Sequence, residues 1–201
     1  MANEFTAGDL GLDFVNTLEH HDGPVLEDML TSWPELVEWA VKAGLATPPV
    51  AGGLRKLGTK NPRAADTVFS RALLLRECLY RIVTALLAKR PPATDDLNLF
   101  NDFLTEAHAA VVLRTTPGGL IFDLPVTSER PESVLGPVVM AAARLVTSPE
   151  TIARIRRCDM ETCRWFFVDR SKNRSRRWCD MKVCGNRAKA REFHRQHRGR
   201  D

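Results

Sequence analysis

Four cysteines near the C-terminal end of the chain form two pairs with equal internal spacing. Cys158 and Cys163 make the first pair, Cys179 and Cys184 make the second, and 15 residues separate the pairs. Two close pairs at this separation are typical of a chain that brings four thiolates around one tetrahedral zinc ion. Because four cysteine ligands leave no position for water or substrate, the pattern predicts a structural zinc ion.

Other interpretations of the cysteines depend on the redox compartment. The chain begins Met1-Ala2-Asn3-Glu4, without a basic-then-apolar leader or a long apolar run, so we expect a cytoplasmic protein that does not enter a membrane. Disulfides are rare in the cytoplasm, which favours metal binding over a disulfide or redox pair. Four unrelated thiols are the remaining alternative. A mixed site using His194 and His197 would have the wrong ligand spacing. Cys78 follows a helical apolar pattern and is expected to be a small buried hydrophobic residue.

Charge divides the chain at about the same place. Residues 1–150 contain 13 Lys and Arg against 19 Asp and Glu, a net charge of −6, whereas residues 151–201 contain 16 against 6, a net charge of +10. Positive charge concentrated on one small module is typical of a protein that binds nucleic acid, and we expect duplex DNA as the partner. A solvated basic surface, or a basic tail docked on the acidic part, is the alternative.

The elements that must position these residues can be predicted from the pattern. We expect a short helix beginning at Ser148-Pro149, a strand at residues 165–168, a turn at residues 171–173, a returning strand at residues 176–178 and a helix over about 181–196. On that last helix, Arg187, Arg191, Arg195 and Arg198 fall on one side. Like charges at this spacing repel, so the arginine stripe is explained if a phosphate chain lies along it.

These considerations give a set of candidate nucleic-acid contacts. The proposed phosphate-binding residues are Arg174, Arg176, Arg177, Lys182, Arg187, Lys189, Arg191 and Arg195. Asn186 either reads a base edge or holds a turn, and we favour the turn slightly. Trp178 either stacks on a base or packs over the zinc site.

The stretch from Arg176 to Lys189, with Cys184-Gly185-Asn186-Arg187 at its centre, resembles the CGNR zinc-finger family. In that family the four cysteines are the proposed zinc ligands, and the finger is thought to bind nucleic acid. The residues Leu10-Gly11-Leu12-Asp13-Phe14-Val15-Asn16-Thr17 resemble the opening of the ABATE domain that usually precedes this finger. The resemblance implies a bacterial, stress-linked transcription regulator.

The first 150 residues predict a mainly α fold with one short β-hairpin. We expect helices over about 8–18, from Trp33 to near Gly44, from Pro62 past Leu86, from Thr94 to about His108 and over 138–146, a loop at Pro48-Pro49 and Gly52-Gly53, and a hairpin over 111–124. With the C-terminal knuckle, hairpin and helix, the predicted architecture is α+β. The predicted boundary divides a helical domain, 1–150, from a zinc finger, 151–201.

No assembled catalytic constellation is visible in the helical domain, so we do not expect an enzyme. His20 and His21 are adjacent and point apart. Asp13, Asn16 and Thr17 are polar residues in an apolar segment, which suggests internal hydrogen bonding or a small-ligand pocket. We therefore expect a regulator whose first domain senses a small molecule or forms a homodimer. A zinc-stabilised protein–protein adaptor and an RNA-binding protein are the alternatives.

Overall fold

The computed structural model describes residues 5–19 and 27–197, and within them the chain is mainly helical. The elements in order are α1 Leu10–Val15, α2 Trp33–Lys42, α3 Pro48–Lys60, α4 Pro62–Leu87, α5 Thr94–Ala109, β1 Val112–Thr116, β2 Gly119–Asp123, a 3-10 helix Pro131–Leu135, α6 Gly136–Val146, α7 Pro149–Ile152, β3 Ile155–Arg157, β4 Phe166–Val168, a π-helical turn Met181–Gly185 and α8 Asn186–His197. None of the helices in these two ranges combines the length and apolarity needed to cross a membrane. His20, His21 and Arg198 lie outside the described residues.

Helix α4 is the centre of the helical part. Pro62 occupies its first position, and the side chain of Asn61 caps it by accepting the N–H of Ala64. Its apolar positions recur with helical spacing and are buried in the main core, where α1, α2, α3, α5 and α6 surround them. The central helix, the helices beginning at Trp33 and near Thr94, and α6 are confirmed.

The predicted loop at Pro48-Pro49 and Gly52-Gly53 is wrong, because these residues belong to α3. Two prolines in a first helical turn lose no hydrogen bond, since the N–H groups there have no partner within the helix. Gly53 also has a packing reason: a Cβ atom at this position would lie 2.4 Å from Cβ of Ser128. Ala51 and Leu54 anchor the helix in the core.

Two separate antiparallel hairpins complete the fold. Strands β1 and β2 pair from Val112 with Asp123 to Thr116 with Gly119, as the sequence predicts. In the second hairpin, β4 pairs with β3, with Ile155 opposite Val168. The predicted return strand at residues 176–178 is wrong, because β3 pairs with one edge of β4, while the carbonyl of Ala7 and the Asn16 amide bond to the backbone of the other edge.

Strand β4 separates two apolar cores. Phe166 and Val168 point into the main helical core together with Ile155, whereas Phe167 points into a second core that contains the four paired cysteines, Met160 and Trp165. Alternation along a strand sends neighbouring side chains to opposite faces, which explains how three consecutive buried residues serve both cores. The cysteine-containing C-terminal segment is thus packed directly against the helical part.

Candidate zinc centre and nucleic-acid surface

The four paired cysteines converge on one point. Their sulfur atoms all lie within 4.8 Å of one another, and all four side chains are buried. Cys179 Sγ lies 3.6 Å from Cys163 Sγ and 3.6 Å from Cys184 Sγ. A tetrahedral zinc ion with Zn–S bonds of about 2.3 Å requires sulfur atoms about 3.8 Å apart, so the set fits this metal. A disulfide would need about 2.05 Å.

A tight turn after β3 positions the first pair. The N–H of Cys158 donates to the carbonyl of Trp165 at 2.8 Å, which continues the hairpin by one step. The carbonyl of Met160 accepts from Cys163 and Arg164, and Arg164 adopts a left-handed conformation with φ of 59°. This turn folds the Cys163 sulfur back towards Cys158.

Asp180 positions the second pair. Its carboxylate accepts the N–H groups of Lys182 at 2.6 Å and Val183 at 3.1 Å, and thereby caps the π-helical turn that carries Cys184. An acidic cap at the start of a helical turn satisfies N–H groups that have no partner within the turn. Because α8 follows directly from this turn, the zinc site also fixes the position of α8.

The buried carboxylate of Asp169 holds the loop between the two cysteine pairs. One oxygen accepts the N–H of Ser171 at 2.9 Å and the other accepts the N–H of Arg176 at 3.0 Å. Burial by itself would raise the pKa of Asp169, but these hydrogen bonds, with those of Ser171 first, lower it below the usual value. Sequence reasoning missed this residue, although Asp169-Arg170-Ser171 carries the signature of an Asx turn.

The thiols themselves are electrostatically coupled. Hydrogen bonds from the other three cysteines, with Cys163 first, lower the pKa of the Cys158 thiol. A zinc ion requires all four groups as thiolates, and its charge supplies the stabilisation that four buried anions need. When zinc is bound, it would link the β3–β4 end of the finger to the start of α8.

Four of the proposed phosphate-binding residues point into solvent. Arg174, Lys182, Arg187 and Lys189 are exposed, and within residues 5–19 and 27–197 no ion pair involves their side chains. Arg174 adopts a left-handed conformation, with φ of 50°, in the loop closed by Asp169. These four cations are positioned to meet a polyanion.

The remaining proposed cations have partners in the protein. Arg176 is half-buried, donates to the carbonyls of Trp178 and Cys179, and stacks 4.5 Å above the Phe167 ring. These contacts support a structural role for Arg176, and a phosphate contact by this residue stays a prediction. Arg177 pairs with Asp159 at 2.7 Å, and Arg195 pairs with Glu192 at 2.5 Å.

Arg191, Asn186 and Trp178 have contacts inside the finger. Arg191 lies against Met160 Sδ at 3.4 Å and Thr162 Oγ1 at 3.5 Å, but it keeps an exposed surface. Asn186 donates from Nδ2 to the carbonyl of Lys182 at 2.9 Å, which supports a role in holding the turn. Trp178 is half-buried against the cysteine core, which supports packing over the zinc site. Base contacts by Asn186 and Trp178 stay predictions.

Asp13, Asn16 and Thr17 are buried and make internal hydrogen bonds. Asp13 accepts the N–H of Ala7 at 2.9 Å, and the Thr17 hydroxyl donates to the carbonyl of Phe14 at 2.7 Å. The Asn16 amide donates to the carbonyl of Phe166 and accepts its N–H, at 2.8 and 2.9 Å. These contacts favour the internal hydrogen-bonding interpretation, and a ligand pocket formed by the three residues stays a prediction.

An open apolar groove lies elsewhere in the helical part. It has a volume of about 690 Å³ and runs between α4, α5, the 3-10 helix and α6. Val68, Phe103, Leu135 and Val139 line its apolar side, and the Arg71–Glu106 ion pair, at 2.7 Å, lies at its polar side. Its volume falls within the range of small-molecule pockets.

Two family models match the chain over almost its whole length. The ABATE model, described as "Putative stress-induced transcription regulator", matches residues 8–149, and the model described as "CGNR zinc finger" matches residues 154–197. No curated protein matches this chain. Together with the sulfur geometry, the second match confirms the predicted structural zinc ion.

Proposed function

We propose that this chain, which belongs to the ABATE family and carries a CGNR zinc finger, regulates transcription by binding duplex DNA through that finger. The observation that carries the proposal is the group of exposed cations Arg174, Lys182, Arg187 and Lys189, which form no ion pair with any described residue, on a segment with a net charge of +10. Protein cations release counterions from DNA when they neutralise phosphates, and this release drives binding.

The further parts of the proposal concern the biological setting. We propose a cytoplasmic bacterial regulator that acts in a stress response and has no enzymatic activity. We place the small-molecule site of the helical domain, 1–150, at the groove between α4, α5 and α6, because Asp13, Asn16 and Thr17 are already hydrogen bonded internally. The domain would also form a homodimer, which suits a symmetric DNA site.

The test measures affinity as a function of salt with the full-length, zinc-loaded chain. Arg191 keeps enough exposure to join Arg174, Lys182, Arg187 and Lys189, so about five phosphates would be neutralised. The logarithm of the affinity for duplex DNA should then fall with a slope of about −4 to −5 against the logarithm of salt concentration. Fluorescence anisotropy with a labelled duplex gives this slope. A flat salt response would overturn phosphate binding.

Variants that each remove one positive charge locate the DNA-binding surface. Arg187→Ala and Lys182→Ala should each reduce the magnitude of the slope by about 0.9 while the zinc content is unchanged. Lys56→Ala removes an equally exposed cation from α3 and should leave the slope as it is. If Lys56→Ala weakens binding as much as Arg187→Ala, the finger is not the binding surface.

The alternatives give different outcomes in the same assay. Competition by single-stranded RNA that exceeds competition by duplex DNA would identify an RNA-binding protein. Failure to bind either polymer would favour the adaptor. The finger already contacts the helical domain through Phe166 and Val168, and an adaptor would use its outward basic surface for an acidic protein partner.

A further inference from the structure

The hairpin of β1 and β2 exposes most of its large apolar side chains. Among the described residues, five of the nine exposed large hydrophobic side chains belong to this hairpin, including Leu113 at 62%, Leu120 at 69% and Phe122 at 82% exposure. Single exposed apolar residues are common on soluble proteins, but a cluster of this kind marks an interaction surface.

The register places the three most exposed of these apolar side chains on one face. Leu113 is opposite Phe122 and Thr115 is opposite Leu120, so these four side chains share a face, which we term the apolar hairpin face. The opposite face carries the less exposed Val112 and Ile121 together with Arg114 and Asp123, and the last two side chains pair at 2.7 Å. The apolar hairpin face therefore contains no charged group, and the charges behind it neutralise each other.

The hairpin also lacks support from the rest of the described chain. Strands β1 and β2 pair with each other, and neither packs extensively against a helix. An isolated two-stranded hairpin is at best marginally stable in water, and a third layer against one face is the usual remedy. Covering the apolar hairpin face would therefore both bury its side chains and stabilise the hairpin.

We propose that the apolar hairpin face is a homodimer interface, on which the same face of a second copy packs. Charge supports a second copy as the occupant: an uncharged face meets itself without like-charge repulsion, whereas no group on it would select a charged partner. A two-fold axis brings identical patches together, so a single apolar face is sufficient for both subunits.

The area of the apolar hairpin face sets the expected strength of the dimer. Leu113, Leu120 and Phe122 from two copies would bury on the order of 800 Å² in total, since an aromatic side chain contributes about 150–250 Å². This area is below the roughly 1,200 Å² of standard interfaces, so we expect a weak, reversible dimer. Each full-length chain has a net charge of +4, so two copies repel one another overall and added salt should strengthen association.

The inference rests on the self-association included in the proposed function and gives it a location. Sedimentation velocity of the full-length, zinc-loaded chain without nucleic acid, over a wide concentration range, should show a monomer–dimer equilibrium that shifts to dimer as salt increases. Because phosphate binding weakens with salt, the opposite salt dependence separates failure of this proposal from failure of DNA binding.

Matched substitutions test the face directly. Phe122→Asp and Leu113→Asp should each raise the dimer Kd by at least about tenfold, because burying an unpaired carboxylate opposes association. Leu97→Asp changes an equally apolar exposed residue on α5 and should leave the Kd unchanged. Phe122→Leu keeps an apolar side chain and should retain the dimer, which controls for loss of the hairpin.

Three results would overturn the proposal. One is a monomer at every concentration and salt level, and another is a dimer that Phe122→Asp and Leu113→Asp leave intact. The third is equal weakening by Leu97→Asp. Circular dichroism and zinc content of each variant establish that the folded, metal-bound chain is being compared.

Discussion

Asp13 illustrates how a single buried carboxyl group can reduce stability at neutral pH. The residue is 7% exposed, and burial raises its pKa from the ordinary 3.8 to about 6, although the N–H of Ala7 partly opposes this shift. A raised pKa means that the folded state binds the proton more tightly than the unfolded state. Stability therefore decreases as pH rises from about 3.8 to 6 and then stays constant.

Asp13→Asn should stabilise the protein at neutral pH. An amide oxygen can still accept the N–H of Ala7, while no charge has to be buried, so we expect a gain of about 1–3 kcal/mol in the free energy of unfolding at about pH 8. Urea denaturation of the variant and the original chain measures the difference, in which the contribution of zinc cancels.

The pH dependence distinguishes this cause from a general packing effect. The gain should fall by about half at about pH 5, because the original carboxyl group is then largely protonated in the folded state. Asp66→Asn, at an exposed position on α4, should change stability little at either pH. A gain that is independent of pH would contradict the assigned role of Asp13.

The sequence was sufficient to predict functional residues whose role depends on their spacing along the chain. The four zinc ligands follow from two short spacings, and their sulfur atoms converge as predicted. Asn16 and Arg176 could not be assigned in the same way. The partner of Asn16 is Phe166, which is 150 positions away, and Arg176 donates to the carbonyl of Thr6, which is 170 positions away, besides its contacts inside the finger. Long-range contacts of this kind leave no periodic signal in a single sequence.

At the scale of elements, apolar periodicity predicted the long helices correctly, whereas the Pro-Pro and Gly-Gly pairs did not mark a loop. Helix α4 repeats its buried positions over 26 residues, so its pattern is unambiguous. Helix α3 contains Pro-Pro and Gly-Gly, which the sequence suggested was a loop. Two of its glycines, Gly53 and Gly58, instead permit close neighbours: at Gly58, a Cβ atom would lie 2.7 Å from Cδ1 of Trp33. Tertiary packing thus overrides a weak local preference.

Gly11 on helix α1 also permits close packing, and this gives a prediction. A Cβ atom at Gly11 would lie 3.0 Å from Cβ and 3.1 Å from Cα of Ala142 on α6, so Gly11→Ala must push the two helices apart. Because a backbone atom cannot yield as a flexible side chain does, we expect a loss of about 1–3 kcal/mol in the free energy of unfolding. Chemical denaturation measures it.

Gly52→Ala in α3 is the matched control, because a Cβ atom there would have no neighbour within 4 Å. The same substitution should stabilise the protein by about 0.4–1 kcal/mol, since alanine restricts the unfolded chain and favours a helix. Equal effects of the two substitutions would show that close packing between α1 and α6 does not limit stability.

At the scale of the whole molecule, β4 couples the zinc finger to the helical part. Besides its two-sided packing, its backbone is held by Asn16 and by the carbonyl of Ala7, which accepts the N–H of Val168 at 2.8 Å. Arg157 adds a hydrogen bond to the Tyr80 hydroxyl at 3.2 Å and lies over the Phe166 ring. Charge asymmetry predicted two modules, but it could not predict that they share a strand. We therefore expect them to unfold together.

Loss of zinc should destabilise the helical part as well as the finger. Cys163→Ser removes one ligand, and without the metal the Phe167 face of β4 loses its core, so Phe166 and Val168 are no longer held against the helices. By comparison with the loss of a buried aromatic side chain, we expect the free energy of unfolding of the helical part to fall by about 3–5 kcal/mol. Metal analysis and amide hydrogen exchange in α1 and α4 give the readouts.

The matched control for this experiment is Cys78→Ser. Cys78 is also buried, but its thiol donates to the carbonyl of Asp96 at 3.2 Å, a bond that a serine hydroxyl can replace. This variant should keep one zinc ion per chain and leave amide exchange in the finger unchanged. If Cys163→Ser loses zinc while protection in α1 is unaffected, β4 does not couple the two parts. In that case the zinc ion stabilises the finger alone.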